Sequence, residues 1–223
     1  MKRTDRSRRI QNYSAMQGAR ATRAPRRLRP STLPAAAYRQ RGVGGSGFSE
    51  AFNSPELWHP PTGRTETRFI VQPAGDGYIH PVTVDEVRER IAALPRRFQQ
   101  GIEVIQFSRM TRKQSLFPRY GMQWGPNVYL YPIEESLVEA HARPPRPQQV
   151  IEARMYGGEW IEEKNTWLLK WTKETIRDFY LNNVLIHEIG HVHDPRNTSF
   201  EAREQFANWF AIEYGYRASR GQR

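Results

Sequence analysis

The chain has 223 residues, no cysteine and a formal net charge of +11. Without cysteine there are no disulfides and no thiolate metal sites, so any metal here must be held by imidazole and carboxylate. No apolar run approaches the roughly 18 residues of a membrane-spanning helix, and the length has room for one ordinary domain plus extra segments.

The charge is concentrated at one end. Residues 1–50 carry 12 Lys/Arg against Asp5 and Glu50, a net of +10, whereas residues 51–223 carry 22 Lys/Arg and 21 Asp/Glu. Stretches such as "RATRAPRRLRP" and "RQRGVGGSG" hold too little apolar surface to offset the entropy of ordering them. Residues 1–62 are therefore expected to form a basic, mostly disordered tail, and residues 63–223 a nearly neutral domain. Within the tail, "FSEAFNSPELWHPP" is a candidate strap that docks Phe48, Phe52, Leu57 and Trp58 on the domain. The tail's charge suits a non-specific contact with nucleic acid or another polyanion; its blander reading is a solubilising arm. No apolar h-region follows the basic head "MKRTDRSRRIQNYSAMQGAR", so it does not read as a secretory signal, and it fits an organellar transit peptide only loosely. A soluble, cytoplasmic protein is expected.

Along the domain, "TETRFIVQP" (65–73) reads as a strand and "TVDEVRERIAALPRRF" (83–98) as a helix. Thr83 and Glu86 form a capping box at its start, and Val84, Val87, Ile91 and Leu94 recur at helical spacing. "IEVIQFS" (102–108) is a second strand. "YGMQW" (120–124) and "NVYLYP" (127–132) read as two strands joined at Gly125-Pro126. The stretch from 134 to 158 is mixed, with "RPPRP" a surface loop. "EWIEE" and "TWLLKW" flank "KN" as a hairpin, with Trp160, Trp167 and Trp171 as apolar cover. Thr172 is the expected N-cap of the next helix, with Glu174 in its first turn. Ile176, Tyr180, Val184, His187 and His191 share one face of it, and Pro195 ends it. "FEAREQFANWFAIEYGY" reads as a last amphipathic helix.

The chemistry lies in "NNVLIHEIGHVHD" (182–194), which holds three of the six histidines. His187 and His191 stand four apart on a helix, so both imidazoles can reach one ion. Glu188 adjoins the first and can hold an ion-bound water as general base, the H-E-x-x-H arrangement. The apolar lead-in "YLNNVLI" makes this a helix through the core. Gly190 costs about 1 kcal/mol in a helix interior relative to alanine, which points to close approach by another element. A catalytic zinc site commonly has three protein ligands. Asp194 and Asn197 stand where the extended H-E-x-x-H-x-x-G-x-x-H pattern needs glycine and histidine, and no methionine follows Met155, so a metzincin is excluded. The last helix offers Glu201, Glu204 and Glu213. Glu204 is preferred, because Asn208 follows one turn later as a group that could orient a ligand, and Ala207 and Ala211 keep that face thin. Glu201, Asp194 and His193 are the alternatives.

"HEIGH" followed by "EQFAN" resembles the gluzincin group of zincin metallopeptidases, nearest the small single-domain kind whose H-E-x-G-H helix is followed by E-x-x-A-N. The resemblance covers roughly residues 64–215. It implies an α+β, zincin-like fold: a small mixed β-sheet with an edge strand over the H-E-x-x-H helix, then a C-terminal ligand helix. "NVYLYP" would be the edge strand that pairs with an extended peptide. It also implies zinc-dependent hydrolysis of a peptide or protein, with zinc on His187, His191 and Glu204 and Glu188 as general base. Tyr214, Tyr216 and His141 are candidates to steady the oxyanion. The rival reading is a metal-stabilised binding or regulatory protein whose tail contacts nucleic acid. Small anti-repressor zincins, which act on DNA-bound regulators, show by resemblance that the two can merge. A structural zinc domain without chemistry would leave Glu188 with no role.

Overall fold

The computed structural model describes residues 56–116 and 118–222. They form a mixed α+β arrangement with a four-stranded, a three-stranded and a two-stranded sheet. Among these residues no helix is long and apolar enough to cross a membrane.

In chain order the strands of the main sheet are β1 (Arg68–Val71), β3 (Val104–Phe107), β4 (Gly121–Trp124) and β5 (Asn127–Leu130). β2 (Tyr78–Ile79), between β1 and β3, pairs antiparallel with β6 (Ile133–Glu134). The main sheet runs β1-β3-β5-β4, parallel at the first two contacts and antiparallel at the last. β3 and β5 are buried at every position, the signature of strands covered on both faces. Helices cover one face. The segment 56–63 lies on the other: His59 Nε2 meets Gln106 Oε1 at 2.7 Å, and Asn127 Nδ2 donates to His59 O at 2.6 Å. The Glu103 carboxylate accepts from the Thr62 and Gly63 amides at 2.6 and 2.8 Å. The Trp58 ring packs on Tyr129 at 4.8 Å, but Leu57 is 51% exposed, so this part of the strap docks as much by polar contacts as by apolar ones. Phe48 and Phe52 lie outside the described residues.

"NVYLYP" was expected at the sheet edge, and here the structure differs. Its residues form the inner strand β5, and β4 takes the edge. The reason is steric. Gly121 has no side chain, so β4 can lie against the H-E-x-x-H helix; a Cβ there would come within 2.9 Å of Glu188 Cγ. The apolar run of β5 is better buried between neighbours.

α1 (Val84–Ala92) starts at the expected Thr83/Glu86 capping box and stops short of Pro95, with a 3₁₀ turn at Arg96–Phe98. A short α2 (Arg112–Leu116) precedes β4. The mixed stretch resolves into β6, β7 (Val138–His141) and α3 (Pro147–Met155). β8 (Glu159–Glu163) and β9 (Thr166–Lys170) form the expected hairpin, with Lys164 and Asn165 both at positive φ, as a two-residue hairpin turn requires. β7 joins them in the sheet β7-β9-β8.

The helix that carries the motif is capped by Thr172 as expected and runs from α4 (Lys173–Phe179) to α5 (Leu185–Val192). Between them, Tyr180–Val184 forms a π-turn, which the sequence pattern did not indicate. α6 (Phe200–Ala211), capped by Ser199, packs on α5 and passes into a second π-turn at Ile212–Arg217. Such turns insert one residue into a helix and recur at functional sites.

Candidate metal centre

α5 and α6 approach closely because Gly190 faces α6. A Cβ on it would lie 3.1 Å from Ala207 Cα and 3.1 Å from Phe210 Cβ, which accounts for a glycine in that helix. The approach brings His187, His191 and Glu204 together. His187 Nε2 and His191 Nε2 are 3.1 Å apart, and Glu204 oxygens stand 3.6 Å from His187 Nε2 and 3.2 Å from His191 Nε2.

This triangle can be tested against a metal. Ligands at about 2.0–2.1 Å from a tetrahedral zinc ion lie about 3.3 Å from one another. The observed edges bracket that value, and two imidazoles with one carboxylate are a donor set that zinc accepts. The cluster can therefore hold a metal ion. In the metal-free protein the same groups compete for protons. Burial pulls His187 down, but its hydrogen bond to Glu204 and the nearby carboxylate charges outweigh this, so its pKa is raised. Burial and the adjacent His187 push His191 down to about 4. The hydrogen bond from His187 lowers Glu204. Metal binding would compete with protons at these groups, since ligands bind metals deprotonated.

Glu188 is 8% exposed and does not belong to the triangle. Burial raises its pKa to about 7, partly offset by His187, Arg119 and the Gln123 backbone amide. It faces the same cleft as the triangle, a space of about 580 Å³ also lined by Arg119, Gly121, Gln123 and Arg203.

The alternatives for a third ligand lie elsewhere. His193 Nε2 meets Phe98 O at 3.1 Å, Asp194 accepts from the Asn197 side chain, and Glu213 pairs with Arg217. Glu201 is exposed. The expected support from Asn208 is absent: among the described residues no hydrogen bond joins it to His187, His191 or Glu204, and the buried His191 Nδ1 has no partner. None of the three oxyanion candidates lines the cleft. Tyr214 packs on Phe98 and Phe210, Tyr216 on Tyr156, and His141 on Trp160. The cations that do face it are Arg119 and Arg203. Arg203 reaches across to Gln123 Oε1 at 3.0 Å, and its Nε has no partner. Only the position of Arg203, immediately before the candidate ligand Glu204, could have marked it in the sequence; nothing local marks Arg119 or Gln123.

No family model matches the chain, and no curated protein and no solved structure matches it.

Proposed function

We propose that the protein is a zinc metallopeptidase of the gluzincin kind. The observation that carries this reading is the buried Glu188 carboxylate, which faces the cleft beside a donor triangle that is complete without it. A structural metal site has no use for such a group. Bound zinc would lower the pKa of its water and polarise a carbonyl. Glu188 then removes the proton of the attacking water and delivers it to the leaving amine. Arg203, which lines the cleft, is the group that steadies the developing oxyanion.

The edge strand supports a peptide as substrate. Tyr120 O accepts from the Tyr131 amide at 2.9 Å. In the alternating antiparallel pattern, the backbone groups of Gly121 and the carbonyl of Gln123 then turn away from β5, towards the open edge, while the Gln123 amide meets Glu188. An extended peptide can pair there.

The test compares Glu188→Gln with His191→Ala. Glu188→Gln should retain zinc and melting temperature while losing roughly 10²–10⁴ in rate on a random peptide library. His191→Ala should lose zinc and stability together. If Glu188→Gln loses zinc as readily as His191→Ala, Glu188 is a ligand and the assignment fails. If it cleaves like the wild type, the hydrolytic mechanism fails.

A further inference from the structure

A separate cavity of about 130 Å³ opens where the chain enters β4, lined by Gln114, Ser115, Arg119, Tyr120, Glu139 and His141 among others. Arg119 also lines the metal cleft, so the two spaces abut at the head of the edge strand. The volume is that of about four liquid waters at about 30 Å³ each, enough for the end of one side chain.

The carboxylate in this wall is held by neutral donors only. Glu139 Oε1 accepts from the Tyr120 hydroxyl at 2.9 Å and from Trp171 Nε1 at 3.1 Å, and Oε2 accepts from Tyr120 at 3.1 Å. Both donors are neutral, and no cation pairs with this carboxylate among the described residues. A carboxylate withdrawn from water is costly unless a cation pairs with it. Gln114, only 2% exposed, donates through Nε2 to Glu56, and its enclosed Oε1 has no partner among the described residues. The buried His141 Nε2 has none either. Arg119 does not fill the gap: its Nη1 contacts Met122 Sδ at 3.0 Å, on the cleft side. Glu139 thus faces the space as a carboxylate that no cation among the described residues pairs with, although Arg119 stands in the same wall.

We propose that this cavity binds an ammonium or guanidinium group, with the Glu139 carboxylate as the acceptor. Its role rests on the peptidase reading: the group belongs to a lysine or arginine side chain of the substrate. A peptide paired along β4 that continues past Gly121 reaches Tyr120 and the cavity mouth. Side chains alternate along an extended chain, so one substrate position enters the cavity. The preference is fixed relative to the cleaved bond.

Trp171 Nε1 donates to Glu139, so its indole ¹⁵N–¹H resonance reports on the cavity without any hydrolysis. In the full-length, zinc-loaded protein, propylguanidinium should shift that resonance saturably. Butyramide, similar in size but uncharged, should bind roughly tenfold or more weakly, the worth of a charge-assisted hydrogen bond. Glu139→Gln keeps a carbonyl for Tyr120 and Trp171 but removes the charge, and should weaken guanidinium binding by a similar factor. Ser115 is exposed at the mouth, so Ser115→Leu should weaken binding by obstruction while leaving the buried groups in place. Equal responses to the two probes, or wild-type binding by both variants, would overturn the proposal. In a random peptide library, cleavage should favour Lys or Arg at one position and lose that preference in Glu139→Gln; cleavage with no basic preference also overturns it. Guanidinium binding without cleavage of any peptide would support the cation site and instead refute the peptidase reading.

Discussion

Gly215 is where the two π-turns meet, and Gly215→Ala opposes two effects of known sign. The residue has no positive φ, so alanine suits its backbone and should gain about 1 kcal/mol as a helix former. Against this, the new Cβ would lie 1.9 Å from the Asn182 carbonyl oxygen. An ordinary C···O contact needs about 3.3 Å, so the turns must part by roughly 1.4 Å. The obstacle is backbone and cannot rotate aside. It is also held from three sides: Tyr156 Oη donates to Asn182 O at 3.0 Å, Arg90 Nε to Asn182 Oδ1 at 2.6 Å, and Asn182 Nδ2 to Asp178 at 2.7 Å. Overpacking costs typically about 1–3 kcal/mol, and a rigid obstacle places this site at the upper end. The net is a loss of about 2 kcal/mol, or roughly 4–8 °C in melting temperature at about 2–4 °C per kcal/mol for a domain of this size. The displaced turn leads directly into α5, so affinity for the proposed zinc should fall as well. Thermal melting of metal-free protein and a zinc titration measure the two effects. A melting temperature that rises would mean that helix propensity prevails and that the turns are not in contact.

Two further outcomes follow from charge. Burial raises the folded-state pKa of Glu139 above its ordinary 4.5, so the folded protein holds this proton at a pH where the unfolded chain has released it. The contribution to stability is full below about pH 4.5 and is lost as pH rises through the raised value; the difference in stability between wild type and Glu139→Gln, followed by denaturant melts across pH, should show that fall, and a difference independent of pH would refute it. The net charge of +10 in residues 1–50 predicts binding of the full chain to DNA or RNA that weakens steeply with salt through counterion release, whereas residues 63–223 should bind weakly; equal, weak binding by both at two salt concentrations would reduce the tail to a solubilising arm.

What was legible in the sequence is what local chemistry decides. Thr83 with Glu86, and Thr172, start helices because their side chains satisfy open backbone amides. Two residues able to take positive φ set the β8–β9 turn. His187 and His191 share a helix face at any register, and the thin face of α6 brings Glu204 to them. What was not legible depends on distant partners. The π-turn at Tyr180–Val184 leaves the apolar spacing upstream intact, with Ile176, Tyr180 and Val184 all buried, so no residue marks it. Which of β4 and β5 lies at the edge depends on what Gly121 lets approach. Gln123 and Arg203 meet across 80 positions of sequence. The tyrosines that were candidates for the oxyanion fall within the second π-turn, where they pack against Phe98 and Tyr156.

The site owes its dimensions to three missing side chains, and these differ in what they would strike. At Gly215 the neighbour is the carbonyl of a held turn, and at Gly190 it is the Ala207 backbone and Phe210. Substitution at Gly215 must move the turn itself, while at Gly190 the neighbours must give by a few tenths of an ångström. At Gly121 the neighbours are side chains, Val184 Cγ1 at 2.8 Å and Glu188 Cγ and Oε1 at 2.9 Å. A Cβ there would displace the Glu188 side chain, the proposed general base, and would also press on the stiff, β-branched Val184. Gly121→Ala should therefore lower the melting temperature less than Gly215→Ala and spare zinc content, while reducing peptide cleavage by up to about a hundredfold, the cost of misplacing a reacting group by about 1 Å. Loss of stability comparable to Gly215→Ala would show that β4, not Glu188, had to yield. Full activity would show that the position of Glu188 does not matter to the reaction, and with that the case for its role as base would fall.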